Sequence, residues 1–184
     1  MKNLIDFPII SSEYSVKQLE AEDAEVFQGL YDRCTDFALL TNGIAFSPTA
    51  AREEFEIVPK GKTTQDVYIF GLFDARNILS GAIASLRHYP DNRTWWLGLM
   101  MLAPEHRSRG LGTDFYRGFE RWVSMQDVTQ ISLCVIEANK LGLEFWQKMG
   151  FEITRKTPPR QYRIKIHELY VLSRNLNEVL PTAV

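Results

Sequence analysis

The chain is poor in the residues that would tie it to a metal, a membrane or a polyanion. Its 184 residues include two cysteines, Cys34 and Cys134, far apart in sequence. They form neither a disulfide framework nor the ligand spacing of a metal site, so no metal is expected and a reducing cytoplasm is the expected compartment. No window approaches the ~20 apolar residues that a membrane span requires. Met1 to Ile10 carries Asp6 and Pro8 within what would have to be an apolar run, so a signal peptide is not expected there. Neither sign of charge dominates: 21 Lys and Arg stand against 23 Asp and Glu, a net charge of −2. Global attraction to nucleic acid or to an anionic membrane is thereby excluded, and any anion site must be local. No repeat, low-complexity tract or long linker divides the chain. One domain over 1–184 is expected, with a hydrophobic fraction of 45% suited to a globular core.

Periodicity supplies the architecture. Tyr14 to Leu19 reads as a strand, and Glu22 to Cys34 as a helix with Ala24, Phe27, Leu30 and Tyr31 at helical spacing. Asp36 to Val58 is less regular, with a turn at Asn42-Gly43 and a helix from Pro48 to Ile57 capped by Ser47. Val67 to Phe73, Ile78 to His88 and Thr94 to Ala103 then form an antiparallel meander, with turns at Asp74 to Asn77 and Pro90 to Asn92. Gly112 to Gln126 is a helix whose apolar side holds Phe115, Phe119, Trp122 and Val123. Gln130 to Ile136 alternates as a strand. Asn139 caps a helix to Met149, which Gly150 ends. Phe151 to Arg155 and Gln161 to Ser173 are the last strands, the second slipping register near His167 as a β-bulge would. The sum is an α/β protein of the α+β type, with a mixed, mostly antiparallel sheet flanked by helices.

The chemistry is concentrated in Leu102 to Thr113, a glycine-containing turn between a strand and an amphipathic helix. Such a turn aims backbone N–H groups at one point, and the helix dipole adds partial positive charge there. Gly110 and Gly112 remove side chains that would hold a bulky anion away, while Arg107 and Arg109 add charge. The arrangement reads as a pyrophosphate cradle, or as glycines serving only the tight turn. G-x-G-x-x-G is not completed and no Gly-Lys-Ser/Thr follows, which argues against a Rossmann unit and a P-loop.

Arg107-Ser108-Arg109-Gly110-Leu111-Gly112 resembles the R/Q-x-x-G-x-G/A signature of the GNAT acetyltransferase superfamily. About thirty residues on, Asn139 to Phe151 resembles that family's N-x-x-A-x-x-F-Y-x-K-x-G-F. The resemblance covers Leu97 to Phe151 and implies a GNAT fold. It implies acetyl-coenzyme A as donor substrate and a primary amine (small molecule, amino acid or peptide N-terminus) as acceptor. It also implies a core over 97–151 for the donor and acceptor-side helices within 14–60. By position, the backbone of Met100, Met101 and Leu102 would pair with the pantetheine arm. Ser108, Arg109, Gly110, Leu111, Gly112 and Thr113 would hold the pyrophosphate, with Arg107 adjoining. Asn139 would bond the arm or cap its helix, and Lys148 would reach the phosphates or face water. A homodimer is common in the family.

Two departures from the family pattern bear on catalysis. Trp146 stands where the family has the tyrosine assigned to protonate the departing thiolate. An indole can donate a hydrogen bond but not usefully a proton. A thiol of pKa about 8.5 can nonetheless leave as thiolate. Trp95 to Met101 also lacks the carboxylate often used as base. Cys134, His88, His167, Glu137 and a water chain are the remaining candidates. The acidic run Arg52 to Glu56 would suit a cationic acceptor, although it reads first as a solvated helix face. The alternative function is an acyl-coenzyme A sensor or scaffold with little turnover.

Overall fold

The computed structural model describes residues 13–177, so the reading of Met1 to Ile10 falls outside it. The meander forms as expected. Strands β1 (Tyr14–Leu19), β2 (Val67–Asp74), β3 (Leu79–Leu86) and β4 (Thr94–Leu102) pair in sequence, each antiparallel to the last. The β2–β3 turn is held by Asp74, whose Oδ1 accepts from the backbone N–H groups of Arg76 and Ile78, each at 2.9 Å. Helix α4 (Leu111–Ser124) then crosses to β5 (Gln130–Ile136), which pairs parallel to β4. After α5 (Lys140–Lys148) come β6 (Glu152–Lys156) and, at the end, β9 (Leu169–Asn175). The seven-stranded sheet runs β1-β2-β3-β4-β5-β9-β6.

Two cores cover the two faces of this sheet. On one, α4 presents Leu111, Phe115, Tyr116, Phe119, Trp122 and Val123, a stripe at helical spacing, against Phe70, Leu72, Ile83 and Trp95. Phe115 and Phe119 are fully buried, each worth about 1.5–3 kcal/mol of transfer free energy. The other face is covered by α1 (Ala24–Arg33) and α3 (Ala50–Glu56), through Phe27, Leu30, Ala51 and Phe55.

Strand β4 changes sides part-way along. Trp95 and Leu97 belong to the α4 core, but beyond them Met100 and Leu102 pack on that core while Leu99 and Met101 turn to the α1–α3 face. The cause is Gly98. Ala84 pairs with Leu99 and Ser85 with Leu97, leaving Gly98 as the extra residue of a β-bulge. One inserted residue reverses every side chain after it.

Three local expectations are corrected. The start of the segment read as less regular, from Asp36, lies in helix α2 (Thr35–Asn42), stopped by Gly43 at φ 75°. Helix α3 begins at Ala50 with Thr49 as N-cap, rather than at Pro48. Ser47 is used earlier: its hydroxyl accepts from Thr49 N–H, and its carbonyl accepts from Ala50 N–H. Gln161 to Ser173 is not one bulged strand. A turn at Arg163, φ 52°, folds β7 (Arg160–Tyr162) onto β8 (Lys165–His167) as a separate hairpin, and β9 starts after Glu168. The hairpin docks on α2: Ile164 N–H donates to the Asn42 carbonyl at 3.2 Å, and His167 Nε2 lies 2.9 Å from the Thr41 carbonyl. The slipped alternation marks the chain leaving the sheet.

Candidate active site

Strands β4 and β5 are paired only from Thr94–Gln130 to Leu97–Leu133. At the Gly98 bulge they part, and from there β4 has no strand on its β5 side. By the rise of about 3.3 Å per residue, the free edge from Gly98 to Leu102 is ~13 Å long. Backbone amides and carbonyls on such an edge require a partner. A cavity of about 250 Å³ fills the gap, lined by Leu97 to Met100 on one strand and Leu133 to Ile136 on the other. Asn139 and Trp146 close one end, and Phe37, Thr41 and Tyr162 cover it from α2 and the hairpin.

At the far end of β4 lies the glycine turn. Pro104–His106 forms one 3₁₀ turn, clamped because His106 Nδ1 meets Tyr14 Oη at 2.9 Å and its Nε2 meets Ser80 Oγ at 3.2 Å. Ser108 (φ 61°) and Gly110 (φ 81°) then take left-handed conformations. Gly110 is the N-cap of α4 with no side chain on the first-turn amides. These donors, at the positive end of a fourteen-residue helix, are open to an anion. A Cβ on Gly110 would meet nothing within 4 Å, so the ground in front of the turn is clear. Gly112 has a different task. Its Cβ would lie 3.4 Å from Leu102 Cδ1, 3.6 Å from Phe145 Cε2 and 3.8 Å from Met100 Cε, ordinary contact distances, so it faces the packed side of α4 rather than the open ground.

The two arginines divide in the same way. Arg107 turns inward, its Nε donating to the Leu102 carbonyl at 2.8 Å and its guanidinium paired with both carboxylate oxygens of Asp36. That hydrogen bonding holds Asp36 below the usual carboxylate range. Arg107 therefore fastens the turn to α2, and its charge is already matched. Arg109 is exposed and has no acidic partner among the described residues.

Comparison with known proteins agrees with this geometry. Residues 31–151 match the model of the Acetyltransferase (GNAT) family. The chain belongs to the GNAT family. An acetyltransferase from Thermus thermophilus superposes with TM-score 0.69 at 20% identity, over 89% of this chain and 97% of that one. A GCN5-related N-acetyltransferase from Kribbella flavida gives 0.65 at 18% identity, over 89% and 98%. The ribosomal-protein-S18-alanine N-acetyltransferase of Escherichia coli gives 0.67 at 11% identity, over 93% and 99%. At these identities the likeness concerns the fold. Comparison with curated protein sequences gave no match.

The remaining GNAT positions can now be placed. Asn139 caps α5, its Oδ1 accepting from Gly142 N–H at 2.9 Å, and it also lines the gap between the strands. Gly142 is small for that reason, since a Cβ there would lie 2.4 Å from Asn139 Nδ2. Trp146 is buried among Tyr116, Phe145 and Phe151, with ring centroids 5.2, 4.9 and 5.3 Å away, and forms an aromatic floor to the cavity. Cys134 faces the same cavity, and the protein around it pushes its thiol pKa up, which opposes use as a base. His88, at φ 55° beyond the end of β3, lines neither cavity described here. His167 is held by α2, Glu137 is bridged by Lys156 at 3.3 Å, and Lys148 is exposed on the last turn of α5.

Two groups with usable protons come from outside the motifs. Tyr162, carried by the hairpin, lines the cavity beside Cys134, and burial first, then the cysteine's charge, pushes its phenol pKa up. Glu54 lies on the other face. A second cavity, of about 260 Å³, is lined by Glu54, Ile57, Val67, Leu86, Tyr89 and Trp96, among others. Gly98 lines both cavities, so the bulge is where they come nearest to sharing a wall. The periodicity held a signal for Glu54: it falls at helical spacing beside Ala51 and Phe55, the residues that α3 buries.

Proposed function

We propose that this GNAT protein transfers the acetyl group of acetyl-coenzyme A to a primary amine by direct attack. The observation that carries the reading is the parting of β4 from β5 at Gly98, in line with the glycine turn at the head of α4. The free edge of β4 suits the amide-rich pantetheine arm, and the open amides from Ser108 to Thr113 suit the pyrophosphate. Arg109 adds an unmatched cation at the same end. The thioester would then lie near Gly98, the residue that lines both cavities, with the amine approaching from the second.

Trp146 holds no transferable proton, and Tyr162 takes over that part of the reading. Its hydroxyl stays protonated through the neutral range and is available to the sulfur as the C–S bond breaks. In balance, R-NH3+ and acetyl-S-CoA give R-NH-acetyl, CoA-SH and one proton. The nitrogen-to-carbonyl bond forms, the carbonyl-to-sulfur bond breaks, and sulfur retains the electron pair.

Calorimetric titration with acetyl-coenzyme A, with coenzyme A in parallel, tests the first half of this reading. Saturable one-to-one binding is expected. Absence of binding by folded protein would reduce the glycine turn to a structural element. Thiol release with a panel of primary amines tests the second half. Binding without acetylation of any amine would favour the sensor reading instead.

A further inference from the structure

Resting on that reading, we infer that the second cavity receives the acceptor, that Glu54 binds its ammonium and accepts its proton, and that the acceptor is an apolar monoamine without a carboxylate. The class of acceptor follows from what lines the cavity. The walls are Ile57, Pro59, Val67, Ala84, Leu86 and the aromatic pair Tyr89 and Trp96, edge to face at 5.8 Å. Glu54 is the one ionised side chain among the lining residues, and no Lys, Arg or His is with it. The nearby Arg87 is committed to Asp66, Nε to Oδ1 at 3.0 Å. A cation entering this cavity finds one carboxylate and an aromatic wall. An amino acid would bring a carboxylate of its own next to Glu54, with no cation to receive it. Like charges so placed oppose binding strongly.

Glu54 is built to accept a proton there. Tyr31 Oη donates to Glu54 Oε1 at 2.7 Å and fixes the carboxyl, and no basic group pairs with Glu54 among the described residues. Tyr31 is itself held in the core, its ring 5.1 Å from Phe27 and 4.8 Å from Phe46. The titratable groups facing Glu54 are Tyr31 from α1, Glu53 from α3 and Tyr89 from the turn after β3. Burial raises the Glu54 pKa, the Tyr31 hydrogen bond lowers it, and Glu53 raises it further. The net rise brings a carboxylate nearer to the working pH of a base. The ammonium of the acceptor gives one proton to the Glu54 carboxylate. The freed nitrogen pair then attacks the thioester carbon near Gly98, and the carbon–sulfur bond breaks with the electron pair on sulfur. Nitrogen's second proton balances the one that sulfur takes up as CoA-SH, and the first proton leaves Glu54 to solvent after the amide has formed.

The test compares wild type, Glu54→Gln and Glu56→Gln, with 2-phenylethylamine and phenylalanine as acceptors. Glutamine can still accept the Tyr31 hydrogen bond, so the fold is retained. Wild type is expected to prefer 2-phenylethylamine over phenylalanine by more than about 10²-fold in kcat/KM. Glu54→Gln should lower kcat/KM about 10²- to 10⁴-fold and remove the acid limb of the pH profile. Its acetyl-coenzyme A affinity should be unchanged. Glu56→Gln, at an exposed position outside the cavity, should match wild type. Calorimetric binding of 2-phenylethylamine, weakened more than about tenfold by Glu54→Gln, reads the site without turnover. Equal use of the two acceptors, or a Glu54→Gln enzyme with wild-type rate and pH profile, would overturn the inference and leave the donor site standing. Loss of acetyl-coenzyme A binding in wild type would instead overturn the functional reading beneath it.

Discussion

Gly110 and Gly112 stand two residues apart in one motif, yet replacing each by alanine should move stability in opposite directions. At Gly110 the backbone is left-handed, φ 81°, and no atom lies within 4 Å of a new Cβ. The cost is purely conformational, about 1–2 kcal/mol for an L-residue in that region. At Gly112 the backbone is helical, and the three nearest atoms, at 3.4, 3.6 and 3.8 Å, are in ordinary contact range. Alanine there gains helix propensity of up to about 1 kcal/mol, less in the first turn than in the interior, with little steric charge against it. For a chain of this size 1 kcal/mol moves Tm by about 2–4 °C. Gly110→Ala should therefore lower Tm by about 2–8 °C, and Gly112→Ala should leave it unchanged or raise it by up to about 4 °C. Thermal unfolding followed by circular dichroism measures both. Binding should separate the pair as well. The Gly110 methyl would stand in the open ground before the amides and disturb at least one charge-assisted hydrogen bond, a loss of more than about tenfold for acetyl-coenzyme A. The Gly112 methyl faces Leu102 and Phe145 and should change affinity less than about twofold. A Gly110→Ala protein as stable as wild type would refute the backbone argument. One that binds acetyl-coenzyme A normally would refute the cradle.

Three further outcomes are expected. Tyr162→Phe should lower kcat by at least about tenfold with KM for the acceptor little changed, because the phenyl ring keeps the packing and loses only the proton; an unchanged kcat in stopped-flow thiol release would remove Tyr162 from the mechanism. Gly98→Val should place a branched side chain at the residue that lines both cavities, so calorimetry should find the donor still bound while turnover falls sharply; wild-type turnover would mean that the acceptor enters elsewhere. Glu54→Gln should raise stability above about pH 5. The folded pKa of Glu54 is raised, so its favourable contribution is full below the unfolded value near 4.3 and is lost as pH rises through the folded value. The gain of the variant in urea titrations should vanish below that unfolded value, and a gain independent of pH would contradict the burial of this carboxyl.

The strands and the two long motifs were legible because their physics is local. Alternation gave β1 and β5 at their observed bounds, and the apolar stripe of α4 named the residues that it buries. Helix α2 was hidden because it has no stripe to read: Phe37, Ala38, Leu39 and Leu40 are contiguous, Ala38 is its buried residue, and Leu39 is 55% exposed. The hairpin was hidden because Tyr162, Ile164 and Ile166 alternate like any strand, while the turn at Arg163 and the bonds to α2 are tertiary facts. The framework of the proposed cradle was legible in outline, since a strand, a glycine turn and an amphipathic helix announce themselves. The division of labour within it was not. Nothing in the spacing separates Arg107, which is matched by Asp36, from the exposed Arg109. Glu54 was read only within the acidic run Arg52 to Glu56, as suited to a cationic acceptor but first as a solvated face. A charged block invites a solvated reading, but the positions of Ala51 and Phe55 put Glu54 on the stripe that α3 turns inward.

The Gly98 bulge explains why the proposed catalytic groups lie where sequence motifs do not point. It does two things at one residue: it ends the pairing of β4 with β5, and it reverses the faces of β4. The first opens the gap suited to the donor on one side. The second turns Leu99 and Met101 to the α1–α3 side, the side on which Trp96 lines the other cavity. Strand β4 thereby fills both faces with apolar side chains and offers no proton carrier of its own. The groups that can carry protons, Glu54 and Tyr162, come from α3 and the β7–β8 hairpin, outside the glycine turn and the α5 motif. Tyr162 is held over the gap only as firmly as the hairpin is held to α2, through Ile164 N–H to Asn42 and His167 to Thr41. On the proposed reading, donor binding draws mainly on the central motifs, while turnover draws more on the docking of peripheral elements. Damage to that docking should cost kcat before it costs affinity for acetyl-coenzyme A.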